Sequence, residues 1–270
     1  MSNELSAPPE STPAVAVAPV APSDDLGLDR AFLMSLARIP LLALAWLATA
    51  WLGSLAVTQF GWLVTVSTPE GLREFNIAPL VVICLGMLLA AFIDGYAFKV
   101  PNWVTLSLVM SGWYIGLLHT LGETTIPGIG GIGAALGGTM LGFLFLFPAL
   151  FIGGMGEGDV KMTMGFGSWI FAYFGVEAGA WILWWSFAIG VIVGGIFGLV
   201  IILLRGQGYK NLANAKEILV DLQVLATAGP EAARTRANAR RGAWWRLPYG
   251  VPLCVGFVGY LWYLFFVVNA

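Results

Sequence analysis

Residues 77–98 read Ile77-Ala-Pro-Leu-Val-Val-Ile-Cys-Leu-Gly-Met-Leu-Leu-Ala-Ala-Phe-Ile-Asp94-Gly-Tyr-Ala-Phe98, an apolar run with one charged residue close to its end. A helix of that length reaches about 33 Å at 1.5 Å per residue, enough for a hydrocarbon core of about 30 Å. A central aspartate costs such a helix about 2.5–3.5 kcal/mol on translocon scales, so Asp94 is a functional-site candidate by position alone. Val100-Pro101-Asn102 follows at once. Pro101 lacks an N–H and biases Val100 away from helical geometry, which ends one segment and begins another. Asn102 is then placed to cap the helix that follows.

The same pattern extends over most of the 270 residues, of which 59% are hydrophobic and only 10% charged. Such a balance predicts an all-α, polytopic integral membrane helix bundle and excludes a nucleic-acid-binding surface. Seven transmembrane helices are expected, over about 39–66, 77–98, 103–121, 132–153, 162–174, 178–204 and 249–268. Residues 1–30 are rich in Pro, Ala and Ser, with Asp24, Asp25 and Asp29 and no basic residue before Arg30. They lack the regions of a signal peptide and read as a disordered tail before a membrane domain over 31–270.

Cytoplasmic loops carry the excess of Lys and Arg. The stretch 205–246 holds Arg205, Lys210, Lys216, Arg234, Arg236, Arg240, Arg241 and Arg246, eight of the thirteen basic residues, so it is expected inside. Counting back through seven spans puts the amino terminus inside and the carboxyl terminus outside. Glu70, Arg73 and Glu74 then fall in an outward loop. Within the basic loop, Leu212, Ile218, Leu219, Leu222 and Leu225 recur at near-helical spacing, as in a helix lying on the membrane surface or an ordinary solvated one.

A second costly acid lies in Gly154-Met-Gly156-Glu-Gly158-Asp159-Val-Lys161. The count of spans puts it on the same face as Asp94. Two converging carboxylates can share a proton, one acting as base toward a water and the other as acid toward a leaving amine, as peptide hydrolysis requires. No metal or cofactor is needed. The glycines before Asp159 allow the backbone to leave helical geometry and a substrate strand to come close. Either aspartate alone would equally suit a proton relay or an ion pair with a lysine. Gly138 with Gly142, and Gly190, Gly194 and Gly198, are read as helix-packing positions. Cys84 and Cys254 form no CxxC pair and read as small core residues, and His119 as a packed or interfacial histidine.

Asp94 with Val100-Pro101-Asn102, and Gly156-Glu157-Gly158-Asp159-Val160-Lys161 placed 159 − 94 = 65 residues on, resemble the two signatures of the type IV prepilin peptidases, the GxGD-type aspartic membrane proteases. Leu247-Pro248-Tyr249-Gly250 is similar to that family's late Pro-Phe/Tyr-Gly element. The resemblance implies an inner-membrane endopeptidase that cuts the leader from prepilin or pseudopilin substrates at the cytoplasmic face. It implies Asp94 and Asp159 as the catalytic pair, with Gly156, Gly158, Pro101, Asn102 and Lys161 in support. Lys161 either anchors the turn or, like Lys99, reaches the headgroups. The implied partners are those leader peptides and the lipid bilayer, with a homo-oligomer left open.

Many members also carry a cysteine-rich zinc insertion and N-methylate the new amino terminus. This chain lacks those cysteines and resembles the shorter, peptidase-only branch, so methyltransferase activity is without support. Presenilin-like proteases share Gly-x-Gly-Asp, but their Pro-Ala-Leu follows the second aspartate, whereas Pro148-Ala149-Leu150 precedes Asp159 here. A proton-coupled transporter and a non-catalytic membrane assembly factor are the alternatives from other classes.

Overall fold

The computed structural model describes residues 30–68, 71–123, 125–151, 155–204 and 248–267, with isolated positions between 220 and 229. The amino-terminal tail, Glu70, Gly154 and the basic stretch 205–246 with its expected surface helix lie outside the described residues, those isolated positions apart. The elements are α1 (Arg30–Phe60), β1 (Val64–Thr68), β2 (Gly71–Phe75), α2 (Ala78–Ala97), α3 (Asn102–Thr120), α4 (Ile132–Phe151), α5 (Glu157–Leu204) and α6 (Gly250–Phe266). The chain is an all-α polytopic bundle, with one small hairpin among the described residues.

The first span ends earlier than its apolar run suggests. Helix α1 stops at Phe60, Gly61 takes a left-handed φ of 66°, and the Trp62 N–H reaches back to the Val57 carbonyl at 2.9 Å. That closes the helix as a Schellman-type cap. The residues after it, Val-Thr-Val-Ser-Thr, alternate β-branched side chains and pair antiparallel with β2, Val64 opposite Phe75 and Thr68 opposite Gly71. A run of apolar and β-branched residues reads as membrane helix on hydropathy, but its β-branched stiffness favours strand once a partner is beside it.

Among the described residues, 37–60, 78–97, 132–150 and 157–201 are helical, long and apolar enough to cross a bilayer. The last, 45 residues, would measure about 68 Å as a straight rod, twice what a crossing needs. It is not straight. Gly175 has φ 77° and ψ −173°, non-helical values in the left-handed half of the map that only glycine adopts readily. A Cβ on Gly179 would touch Phe171, and one on Gly167 would touch Leu183, pairs placed symmetrically about Gly175. Helix α5 therefore doubles back, and its two limbs supply the separate fifth and sixth spans expected from the sequence. With α3 and the shorter apolar α6, the described helices make seven limbs.

Helix α3 is the inner member. Thr105, Ser107 and Ser111 on it are fully buried, as are Val104 and Leu108. The Trp169 indole of α5 donates to the Leu108 carbonyl at 2.9 Å and to Ser111 Oγ at 3.0 Å, and the Trp46 indole of α1 donates to Ser107 Oγ at 3.2 Å. Away from water an unmet indole N–H is expensive, so these bonds orient α1 and α5 around α3.

Close packing sets the heights. The Gly138 and Gly142 positions of α4 lie so near the Gly167 and Thr163 carbonyls of α5 that a Cβ would come within 2.2 Å and 2.5 Å of them. On α6, Gly256 meets Ser186 and Gly190 of the second α5 limb, and Gly194 faces Pro252 and Tyr249. These are small-residue interfaces of the kind the sequence predicted.

At the end away from the aspartates, buried Asn76 joins three helices. Its amide donates to the Ser54 carbonyl of α1 at 2.9 Å, its Oδ1 accepts the Ala78 N–H of α2 at 3.1 Å, and its own carbonyl accepts the Tyr173 hydroxyl of α5 at 2.8 Å. His119 lies at this end too, with Nδ1 2.9 Å from the Gly130 carbonyl and Nε2 2.9 Å from that of Ile126. It tethers the 121–131 connection and takes no part in the site.

Candidate active site

Asp94 stands in the last turn of α2. The helix is stopped by Phe98, a non-glycine residue with φ 52° whose N–H donates to the Asp94 carbonyl at 2.8 Å. Left-handed geometry costs an L-residue roughly 1–2 kcal/mol. It turns the chain sharply, so that buried Val100 and half-buried Pro101 lead into α3.

Asn102 departs from expectation. Pro101, with φ −68° and ψ 142°, occupies the cap position and offers no side-chain bond, while its carbonyl accepts the Val104 N–H at 3.1 Å. Asn102 is therefore the first helical residue instead of the cap. Its Oδ1 accepts a hydrogen bond from Lys161 Nζ at 2.8 Å, and the same Nζ stands 3.5 Å from a Glu157 carboxylate oxygen. Of the two positions open to Lys161, the structure has the one that ties α3 to α5.

Helix α5 begins at Glu157, so the backbone is helical at Gly158 and Asp159, and the irregular stretch expected up to Asp159 ends at Gly156. The Asp159 carboxylate turns back to accept the Gly156 N–H at 3.3 Å, the acidic half of a capping box. The absence of a side chain at Gly158 serves proximity: a Cβ there would stand 3.0 Å from Val100 Cβ. The turn after Asp94 and the turn carrying Asp159 are thus in contact.

The third contributor is the start of α6. The Gly250 N–H donates to Asp94 Oδ2 at 2.9 Å, and a Cβ on Gly250 would lie 2.8 Å from that oxygen. Sequence reading found this residue only through a resemblance, because nothing local ties a glycine 156 positions away to Asp94. The signal available was Pro248-Tyr249-Gly250, a helix start at the edge of an apolar run.

Both aspartates are buried, at 6% and 5% exposure, and the charge of Asp94 is felt at Asp159. Of the residues singled out beforehand, Asp94, Asp159, Pro101, Asn102, Gly156, Gly158 and Lys161 all gather at this one end of the bundle. Among the described residues no group of three or more His, Cys, Asp or Glu side chains is arranged for a metal ion. What the end of α2 and the start of α5 bring together is a pair of carboxylates, each held, among the described residues, by one backbone N–H.

Fold and site together define a polytopic α-helical membrane protein with two buried aspartates at one end of the bundle. Residues 81–203 match the model of the Type IV leader peptidase family, a match that supports a prepilin peptidase-type protein. The matched stretch runs from α2 into the second limb of α5 and contains both aspartates. No curated protein and no solved structure matches the chain.

Proposed function

We propose that the protein is a membrane aspartic endopeptidase that removes the leader of prepilin- or pseudopilin-like substrates at the cytoplasmic face of the inner membrane, with Asp94 and Asp159 as its acid–base pair. The observation that carries this reading is the convergence of two buried carboxylates from separate helices inside the stretch that matches a leader peptidase family.

One carboxylate, ionised, takes a proton from a water as its oxygen attacks the scissile carbonyl carbon. The other, protonated, gives its proton to the leaving amine nitrogen as the C–N bond breaks. Two like charges in a dry pocket do not both ionise cheaply, so a shared proton is the resting state such a pair favours. Leu204 and Pro248, between which the basic stretch runs, belong to limbs that end at the aspartate side, which supports a cytoplasmic site by the positive-inside rule. A transporter relay would call for carboxylates near the bilayer midplane, whereas Asp94 is in the last turn of α2 and Asp159 in the first turn of α5.

The test is co-expression with a candidate prepilin, following leader removal by gel shift. Wild type shortens the substrate, and Asp94→Asn and Asp159→Asn each leave it full length. Processing by either variant at the wild-type rate would overturn the reading.

A further inference from the structure

Glu157 takes no part in the acid–base scheme. It is the first residue of α5, two before Asp159, and at 3.6 residues per turn the two side chains leave the helix about 200° apart. Burial agrees with that divergence: Asp159 turns into the bundle at 5% exposure, whereas the Glu157 side chain is 78% exposed. Gly156 and Gly158 on either side carry no side chain to screen it. Gly156, whose N–H holds the Asp159 carboxylate at 3.3 Å, is itself exposed, so one open stretch of backbone leads from Glu157 to the buried acid.

The polar partner of Glu157 among the described residues is Lys161 Nζ, 3.5 Å away. That ammonium is already bound to Asn102 Oδ1 at 2.8 Å. An exposed i,i+4 pair of this kind holds weakly, which leaves the carboxylate available to a second cation. Among the described residues Glu157 is also the one exposed acid at this end. Glu74, Glu123 and Glu177 belong to β2, to the 121–131 connection and to the turn after Gly175, all at the far end. The neighbouring sequence is otherwise basic, with Lys99 and Lys161 here and the eight Lys and Arg of 205–246 between limbs that end on this side.

We propose that Glu157 is a specificity-determining residue, whose carboxylate receives a Lys or Arg side chain of the substrate on the cytoplasmic side of the scissile bond. This rests on the peptidase reading of the two aspartates. A substrate with a cytoplasmic leader and one apolar stem carries its basic residues in the leader, because such charge is kept inside. On an enzyme surface that is itself basic, Glu157 supplies the local opposite charge. It and Asp159 leave opposite sides of a helix about 10–12 Å across, a span that about three extended residues cover at ~3.3 Å each. A basic residue about three positions before the scissile bond therefore reaches Glu157 while the peptide carbonyl lies against the aspartates. Glu157 forms and breaks no bond of the reaction, so its effect falls on substrate capture and follows the charge of the leader.

The experiment compares wild type, Glu157→Gln, Glu157→Lys and Asp94→Asn as full chains purified in detergent. Each acts on three forms of one prepilin-type protein, identical except that the basic positions of the leader carry Lys, Gln or Glu. Wild type is expected to favour the Lys leader over the Gln leader about 5-fold in kcat/KM, mostly through KM, E157Q to lose that preference, and E157K to favour the Glu leader over the Lys leader. Added salt should shrink each preference. Every comparison is a ratio within one variant, so a general loss of folded or active enzyme cancels. A wild type indifferent to leader charge, an E157Q with the wild-type ratio, or an E157K that still favours the Lys leader overturns the proposal. D94N separates the two readings: if it cleaves any leader, the peptidase assignment fails and the Glu157 proposal with it, whereas inactive D94N beside unshifted ratios in E157Q and E157K defeats the Glu157 proposal alone.

Discussion

Gly158→Ala puts a single methyl group between the two elements that bring the aspartates together. The new Cβ would lie 3.0 Å from Val100 Cβ, 3.1 Å from its Cγ2 and 3.4 Å from its backbone nitrogen. Apolar carbons rest at about 3.5–4.0 Å, so the start of α5 must retreat from the 98–101 turn by roughly 0.5–1 Å. Rotating Val100 gives no relief, because its Cβ is the nearest atom and its backbone is restricted by Pro101. Asp159 is the next residue in the chain, so the retreat is passed directly to the carboxylate pair. A misplacement of about 1 Å can cost 100-fold in rate, which puts the expected loss at about 10- to 100-fold.

Stability moves less. Alanine in place of a helical glycine contributes up to about 1 kcal/mol, against about 1–3 kcal/mol for overpacking. The variant is therefore expected to be folded and slow. Initial rates of leader removal, measured beside the unfolding midpoint in detergent, read both quantities. Val100→Gly removes both of the nearest carbons, so V100G/G158A should recover most of the rate that G158A loses. Wild-type cleavage by G158A, or a double variant no faster than G158A, would refute the reasoning.

Three further outcomes follow from the same contacts. Gly250→Ala places a Cβ 2.8 Å from Asp94 Oδ2 and 3.1 Å from its Cγ, so it should reduce cleavage at least as severely as G158A, read in the same rate assay. Asn102→Ala and Lys161→Met each remove one end of the 2.8 Å bond between α3 and α5, so their double variant should be no slower than the worse single one. A double-mutant cycle on cleavage rate tests this, with an interaction energy of about 0.5–3 kcal/mol expected for groups in contact and none if the bond is idle. Gly138→Ala would bring a Cβ within 2.2 Å of the Gly167 carbonyl, far from the aspartates; it should lower the unfolding midpoint through overpacking of about 1–3 kcal/mol and leave the rate per folded molecule unchanged.

The membrane class and most span boundaries were legible because hydropathy is a local quantity. Residues 77–98 were expected as one span and α2 occupies Ala78–Ala97; the break at Gly175 between two spans was also visible. The first span failed where local preference is ambiguous. Val64–Thr68 satisfies both an apolar run and a strand, and only the presence of Gly71–Phe75 as a partner decides between them. Asn102 failed for a similar reason: its type suits a cap, but with Pro101 at the cap position its amide is available to Lys161, 59 residues away.

By itself the sequence determined that this is a many-helix membrane protein and that Asp94 and Asp159 are its costliest side chains, since both follow from the price of charge in a medium without water. It also placed the helix ends beside each aspartate, through Pro101 and the glycines. Tertiary structure alone decided that Val100 and Gly158 touch, that the Gly250 N–H holds Asp94, and that Tyr249 packs against Gly194. Those contacts join the ends of four helices far apart in the chain. Their register comes from close packing along α3, α5 and α6, a property of the assembled bundle that no single stretch of residues encodes.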